Sequence, residues 1–341
     1  MTTTSMDPAG FPQVWEKPKF EDLIACLEEL HLKPPIWNLT ASKPTTQESN
    51  ESSARTRRET TSYLSSIISS ELSWIDHDDQ KERLWDEASR CLSERCGRAG
   101  MGEINRIWPF ETRGRPFQLI VREPPITGDS LGHKTWCSSY LMAQQLGIIS
   151  TGSFSHLLGL ARASPAKVLE LGSGTGLLGM AAAAIWQTEV VLTDLPIIMT
   201  NLNFNIEQNR ETIEGLGGRM SSGTLTWGTD NGNDAMFLHR NQFDIILAAD
   251  GIYDDDHPAL LSSAIQSHML HGTNSRALVM TPIRDQITRD LIAQFRLEMG
   301  SGGTPLAILE EHTLSGQDDW GENGSAVVEC WWAMFGRNQS H

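Results

Sequence analysis

No apolar stretch in this chain runs long: each is broken within a handful of residues by Gly, Pro or a charge. A membrane-spanning helix needs about 20 apolar residues, so none is expected. The first residues, MTTTSMDPAGF, lack both the basic start and apolar run of a secretory signal and the Arg-rich face of a transit peptide. That points to the cytoplasm, with the nucleus left open. Cysteine is sparse and unpatterned: Cys26, Cys91, Cys96, Cys137 and Cys330 form no CxxC, and none lies near His257, His268 or His271. This argues against a disulfide framework or a structural zinc site and for free thiols. Tyrosine occurs three times in 341 residues, and between 116 and 341 the only lysines are Lys134 and Lys167.

What is abundant is acid. The net charge is −16; residues 1–115 hold 15 Lys+Arg against 19 Asp+Glu, and residues 116–341 hold 12 against 24. A nucleic-acid binder usually shows a basic patch, so DNA and RNA are poor expectations for a partner. A basic protein surface is the better one. With 39% hydrophobic residues the chain can bury a sizeable core, and a length of 341 suggests about two domains.

Phe20, Leu23, Ile24, Leu27 and Leu30 share one helical face, and KPPIW stops that helix. Residues 40–61 are rich in Ser, Thr, Glu and Arg and too polar to offset their ordering entropy, which predicts a flexible insert. Two more helical patterns run through Tyr63–Leu72 and Leu84–Leu92. Residues 1–115 therefore read as a helical N-terminal region. From 116 the texture changes, with β-rich runs at 117–121, 167–171, 189–193, 224–227, 243–249, 277–281 and 327–335. Helical patterns near 137–147, 176–186, 197–209, 258–269 and 285–298 separate most of them. Strands alternating with helices imply a doubly wound α/β sheet, Rossmann-like and mostly parallel. The last segments, PLAILEEHTL and the 327–335 run, have no helix between them and predict a terminal antiparallel pair.

The chemistry concentrates in VLELGSGTGLLGMAAAA, residues 168–184. A buried strand runs into Gly172, Gly174 and Gly176 and then into a helix start. Glycines let the backbone approach a ligand, and a helix N-terminus offers free N–H groups. Gly174, Gly176 and Gly179 also satisfy the G-x-G-x-x-G dinucleotide pattern, so glycines alone leave NAD open. Glu170 shifts the reading: an anion there would repel a pyrophosphate but suits the cationic amino-acid end of S-adenosylmethionine. Asp194, closing the next strand 24 residues later, can accept both ribose hydroxyls, a feature that NAD proteins share.

Taken together, ELGSGTGLLG, LTDLP followed by NLNFN, Trp227–Gly228 and AADGIYDDDHPALL resemble the seven-β-strand lysine methyltransferases, whose D-x-x-Y signature stands here as Asp250-Gly251-Ile252-Tyr253. LGHKTWCSSYLMAQQL is similar to that family's element ahead of the glycine loop, with Gly132 and Trp136 implied to border the cofactor. The resemblance covers about 116–341. It implies a seven-stranded methyltransferase sheet, S-adenosylmethionine held by Trp136, Glu170, Gly172, Gly174, Gly176, Asp194, Trp227 and Asp250, and catalytic roles for Asp250 and Tyr253. The stretches YLSSIISSELSWI and RCGRAGMGEI look like fungal members that methylate elongation factor 2. The implied partner is thus a protein with a basic, lysine-bearing surface, met by a monomer.

Local chemistry runs alongside the resemblance. Asp250 falls where FDIILAA ends, in the crevice of a doubly wound sheet. Methyltransferases of bases often carry two prolines before the aromatic residue; Gly251 and Ile252 stand there instead, which speaks against a base substrate. Asp250 could alternatively cap the helix starting near Pro258. Asp254, Asp255 and Asp256 suit a helix's first turn or an acidic rim better than a metal site with His257. Asp230 is a candidate for the adenine amino group, and Asn201, Asn203 and Asn205 read as a surface helix. A metabolite-amine methyltransferase and a binding module without activity are the competing functions.

Overall fold

The computed structural model describes residues 8–32, 47–97, 100–127, 131–159, 164–318 and 326–337. They divide into two compact units, one ending at Gly102 and the other beginning at Glu103. The first is helical: α1 (Phe20–Leu30), α2 (Gln47–Ile68) and α3 (Asp78–Glu94). Leu23, Cys26, Leu27 and Leu30 of α1 meet Tyr63, Leu64 and Ile67 of α2 and Leu84, Ala88 and Cys91 of α3 in one core. His31, at the end of α1, pairs with Glu87 and Glu94 of α3, which ties the two helices. The expected flexible insert is corrected over 47–61, which are helical within α2. Tertiary contacts of the helix's later turns outweigh the polar composition of its start. Residues 40–46 of that insert lie outside the described ones.

The second unit opens with a hairpin, β1 (Ile104–Thr112) and β2 (Arg115–Glu123). Sequence alone places 104–112 with the helical part and the 117–121 run in the main sheet. Instead the two strands pair only with each other. A row of asparagines on α7 (Pro196–Gly215) holds the hairpin. Asn209 exchanges two hydrogen bonds with the Ile120 backbone, at 2.9 and 2.8 Å, and Asn205 exchanges two with that of Arg122, at 2.9 and 3.1 Å. Asn201 adds bonds to the Arg122 carbonyl and guanidinium. Spaced i, i+4, i+8 on one helix face, these amides continue the ladder that β2 lacks on that side. Asn201 and Asn205 are therefore buried, contrary to the surface reading, whereas Asn203 is exposed.

The main sheet has seven strands, β3 (Lys167–Leu171), β4 (Glu189–Asp194), β5 (Arg219–Thr224), β6 (Ile245–Ala249), β7 (Arg276–Ile283), β8 (Ala307–Asp318) and β9 (Ala326–Gly336). Their order is β5-β4-β3-β6-β7-β9-β8, parallel but for β9, which runs antiparallel to both of its neighbours, β7 and β8. β3 and β6 are buried along nearly their whole length, as strands covered by helices on both faces must be. The β5 strand ends at Thr224, so the TLTW run expected as a strand is mostly the loop beyond it. Helices α4 (Cys137–Thr151), the short α5 (Ser155–Leu158), α6 (Leu177–Trp186), α8 (His257–His268) and α9 (Gln286–Met299) complete the layers. The chain leaves β3 toward β4 on one side and returns to β6 on the other, which opens a crevice at the carboxyl ends of β3 and β6. No helix among the described residues is long and apolar enough to cross a membrane.

Candidate active site

A cavity of about 200 Å³ fills that crevice. Four strand ends feed it: Gly172, Ser173 and Gly174 after β3, Asp194 closing β4, Leu225, Thr226 and Trp227 after β5, and Asp250 after β6. Leu131, Gly132, Lys134 and Trp136 form the wall ahead of α4. The glycine turn is tight for a local reason. Ser173 donates its N–H to the Thr193 carbonyl at 2.8 Å, and its hydroxyl accepts from the Thr193 N–H at 3.0 Å. Gly172 and Gly174 sit at φ of +68° and +56°. A Cβ on Gly172 would come within 3.2 Å of the Trp227 ring, and one on Gly174 within 3.1 Å of the Gly132 carbonyl. Two walls of the cavity thus close on bare backbone.

The carboxylates differ in what they face. Asp194 accepts the Gly174 N–H at 2.6 Å and the Leu195 N–H at 2.7 Å, so it holds the loop it borders. Burial pushes its carboxyl up to about 6 despite those two donors. Glu170, expected at the cofactor, does not line the cavity. It is 1% exposed behind the turn, and burial raises it to about 8. A Cβ on Gly179 would lie 2.4 Å from its Oε2, so that glycine of α6 makes room for the acid. Gly176 likewise lies behind the lining, with φ of +86°, where a Cβ would meet Leu202.

Asp250 is half-buried with a left-handed backbone, φ +57°, its N–H fixed to the Met280 carbonyl at 2.9 Å. Its Oδ2 accepts from the Ser139 N–H at 3.2 Å, which places the acid at the N-terminus of α4 and not of the helix near Pro258. Its Oδ1 is shielded from solvent, and the Ser138 side chain favours the charged carboxylate. Burial raises the carboxyl to about 7, with Asp318 pushing it further up and Arg284 pulling it down. Tyr253 stands at the rim, 59% exposed, its ring edge-on to His257 at 4.3 Å. Trp227 meets the other side of the chain's turn, 6.0 Å from the same imidazole.

Trp136, Gly172, Gly174, Asp194, Trp227, Asp250 and Tyr253 are thus brought together, while Glu170 and Gly176 support from behind. Asp230 pairs with Arg240 outside this cavity. Sequence reading assigned no site role to Lys134 and weighed His257 only as a metal ligand. The rarity of lysine in this half was the available signal for the first. The spacing of four from Tyr253 at a helix start was the signal for the second. Burial keeps His257 below its usual range although Asp254 and Asp256 oppose this.

Among curated proteins, the protein-lysine N-methyltransferase EFM2 of Saccharomyces cerevisiae is 32% identical over 251 residues, 70% of this chain and 57% of that one. The protein-lysine N-methyltransferase rrg1 of Schizosaccharomyces pombe is 26% identical over 338 residues, 97% of this chain and 98% of that one. Among solved structures, a SAM-dependent methyltransferase from Agrobacterium tumefaciens superimposes with a TM-score of 0.40 at 15% identity, covering 69% of this chain and 71% of that one. A family model described as lysine methyltransferase matches residues 118–302, from the second hairpin strand to the loop after α9, and by that match over more than half its length the chain belongs to the lysine methyltransferase family.

Proposed function

We propose that this chain moves a methyl group from S-adenosylmethionine to the ε-amine of a lysine on a protein, and that the protein is elongation factor 2. The observation that carries the reading is the meeting of the Gly172–Gly174 turn, Asp194, Trp227, Asp250 and Tyr253 on one cavity. The residues suit such a donor. Bare backbone at Gly172 and Gly174 lets the Trp227 ring and the Gly132 carbonyl close in and shape the cavity wall. Asp194 and Asp250 present carboxyl groups to a molecule of positive charge, and the rings of Trp136 and Trp227 offer flat apolar surface for a base. When bound, the donor supplies a methyl on a sulfonium, which a neutral amine can attack.

The chain's part is chiefly positioning. A lysine of pKa about 10.4 costs roughly 4.6 kcal/mol to deprotonate at pH 7, at about 1.36 kcal/mol per unit. A half-buried mouth lowers that by disfavouring the ammonium. Asp250 in its charged form does the opposite, so its work is to orient the amine at the cavity wall while the proton leaves to water. Tyr253 at the rim flanks the lysine stem. The choice of elongation factor 2 is supported by the likeness of YLSSIISSELSWI and RCGRAGMGEI to fungal enzymes of that specificity. Incubating the purified chain with labelled donor and whole lysate tests it. One labelled protein band at the size of elongation factor 2 is expected; label confined to small molecules, or none, would refute the proposal.

A further inference from the structure

Next to Trp136 lies a charge cluster, buried at Lys134 and Asp318 and open to solvent at Arg284. Lys134 and Asp318 are each 1% exposed. The Lys134 Nζ lies 3.6 Å from one carboxylate oxygen of Asp318, and Arg284 donates to the other. Both cations also lie over the Trp136 ring, Lys134 at 5.1 Å and Arg284 at 5.4 Å from its centroid. Three distant stretches of chain meet here: the segment ahead of α4, the residue following β7 and the last residue of β8. Of the group, Lys134 and Trp136 line the cavity itself.

Buried charges persist only when paired, and the Asp318 carboxylate meets both Lys134 and Arg284. We propose that Asp318 is a positioning residue of the donor site, holding Lys134 and Arg284 against Trp136 and cancelling enough of their charge for a sulfonium to be accepted beside them. The inference rests on the methyl-donor reading above. It exploits a difference that shape cannot supply: the donor carries a sulfonium cation, whereas the spent product, S-adenosylhomocysteine, is a neutral thioether of almost the same outline. A residue that merely shapes the wall treats the two alike. A residue that offsets positive charge favours the cation.

Calorimetric titration of the full chain with donor and product separately decides the matter. Asp318→Asn keeps the size of the side chain and removes its charge. It should shift the ratio of the two dissociation constants roughly tenfold against the donor, the order expected of one charge acting over about 10 Å through an effective dielectric near 20. Adding Lys134→Met to that variant removes a cation as well and should return the ratio toward that of the unaltered chain. Equal weakening of both ligands by Asp318→Asn, or no weakening, would overturn the proposal. Should Asp318→Asn fail to fold, as judged by thermal melting, Lys134→Met alone serves: the ratio must then move in the donor's favour, and an unmoved ratio overturns the idea. An unaltered chain that binds neither ligand refutes the methyl-donor reading itself, before any variant is compared.

Discussion

Asp250 combines a left-handed backbone, an anchored N–H and one carboxylate oxygen shut off from solvent. Such a conformation is sparsely populated outside glycine, though Asp and Asn tolerate it best, and it persists only where surroundings over-determine it. Asp250→Asn keeps that tolerance and the side-chain shape while removing the charge. Turnover should fall about 100-fold or more from lost orientation of the amine, well beyond the change in the donor's dissociation constant measured by calorimetry. Glu170 gives a different test, through stability. In the folded chain it holds its proton up to about pH 8, whereas in the unfolded chain it releases it near the ordinary carboxyl range. The folded state therefore binds more protons between about pH 4.5 and 8, and its stability declines as pH rises through that window. Asp194 and Asp250, raised to about 6 and 7, pull in the same direction. Glu170→Gln removes the largest of the three contributions. Its melting temperature relative to the unaltered chain should climb from pH 5 to pH 8.5, and a constant difference would contradict the burial argument.

At the scale of elements, the hairpin and α7 illustrate how side chains replace a missing strand. Asn205 alone bonds the Arg122 N–H and carbonyl and the Thr175 carbonyl, which joins the hairpin to the loop beneath the cofactor crevice. Asn205→Ala leaves those backbone groups to find other partners. A loss of about 1–3 kcal/mol in urea unfolding is expected, the range for stranding buried polar groups. Asn203, two positions earlier and exposed, serves as the control, and its alanine variant should change stability little. The D-x-x-Y element works by the same logic of position. Asp250 closes β6 inside the crevice, and the turn that follows carries Tyr253 out to the rim before α8 begins at His257.

For the whole molecule, the charge of −16 bears on the proposal that the substrate presents a basic surface. Attraction at long range speeds encounter and is screened once the Debye length shrinks to about 10 Å or less. Raising salt from about 50 to 300 mM should lower kcat/KM for the protein substrate severalfold, chiefly through KM. A flat salt profile in a steady-state assay would show that association does not use this charge.

The alternation of buried runs and helical patterns from 167 onward was enough to read a doubly wound sheet, because strands covered on both faces leave near-continuous apolar stretches such as IILAA. The closing antiparallel pair was equally visible in the missing helix between its strands. Glycine spacing and the carboxylates at 194 and 250 marked the crevice, since both fall where strands end. The hairpin partner of β2 was not legible, nor was the burial of Asn201 and Asn205, because a polar helix face looks solvated until something is packed on it. Glu170 was legible as an acid beside the glycines but not as one facing away from the cavity, for side-chain direction at a strand end depends on what covers each face. Lys134, Arg284 and Asp318 are far apart along the chain. Only folding sets them around one indole ring, where their charges are felt through protein instead of water.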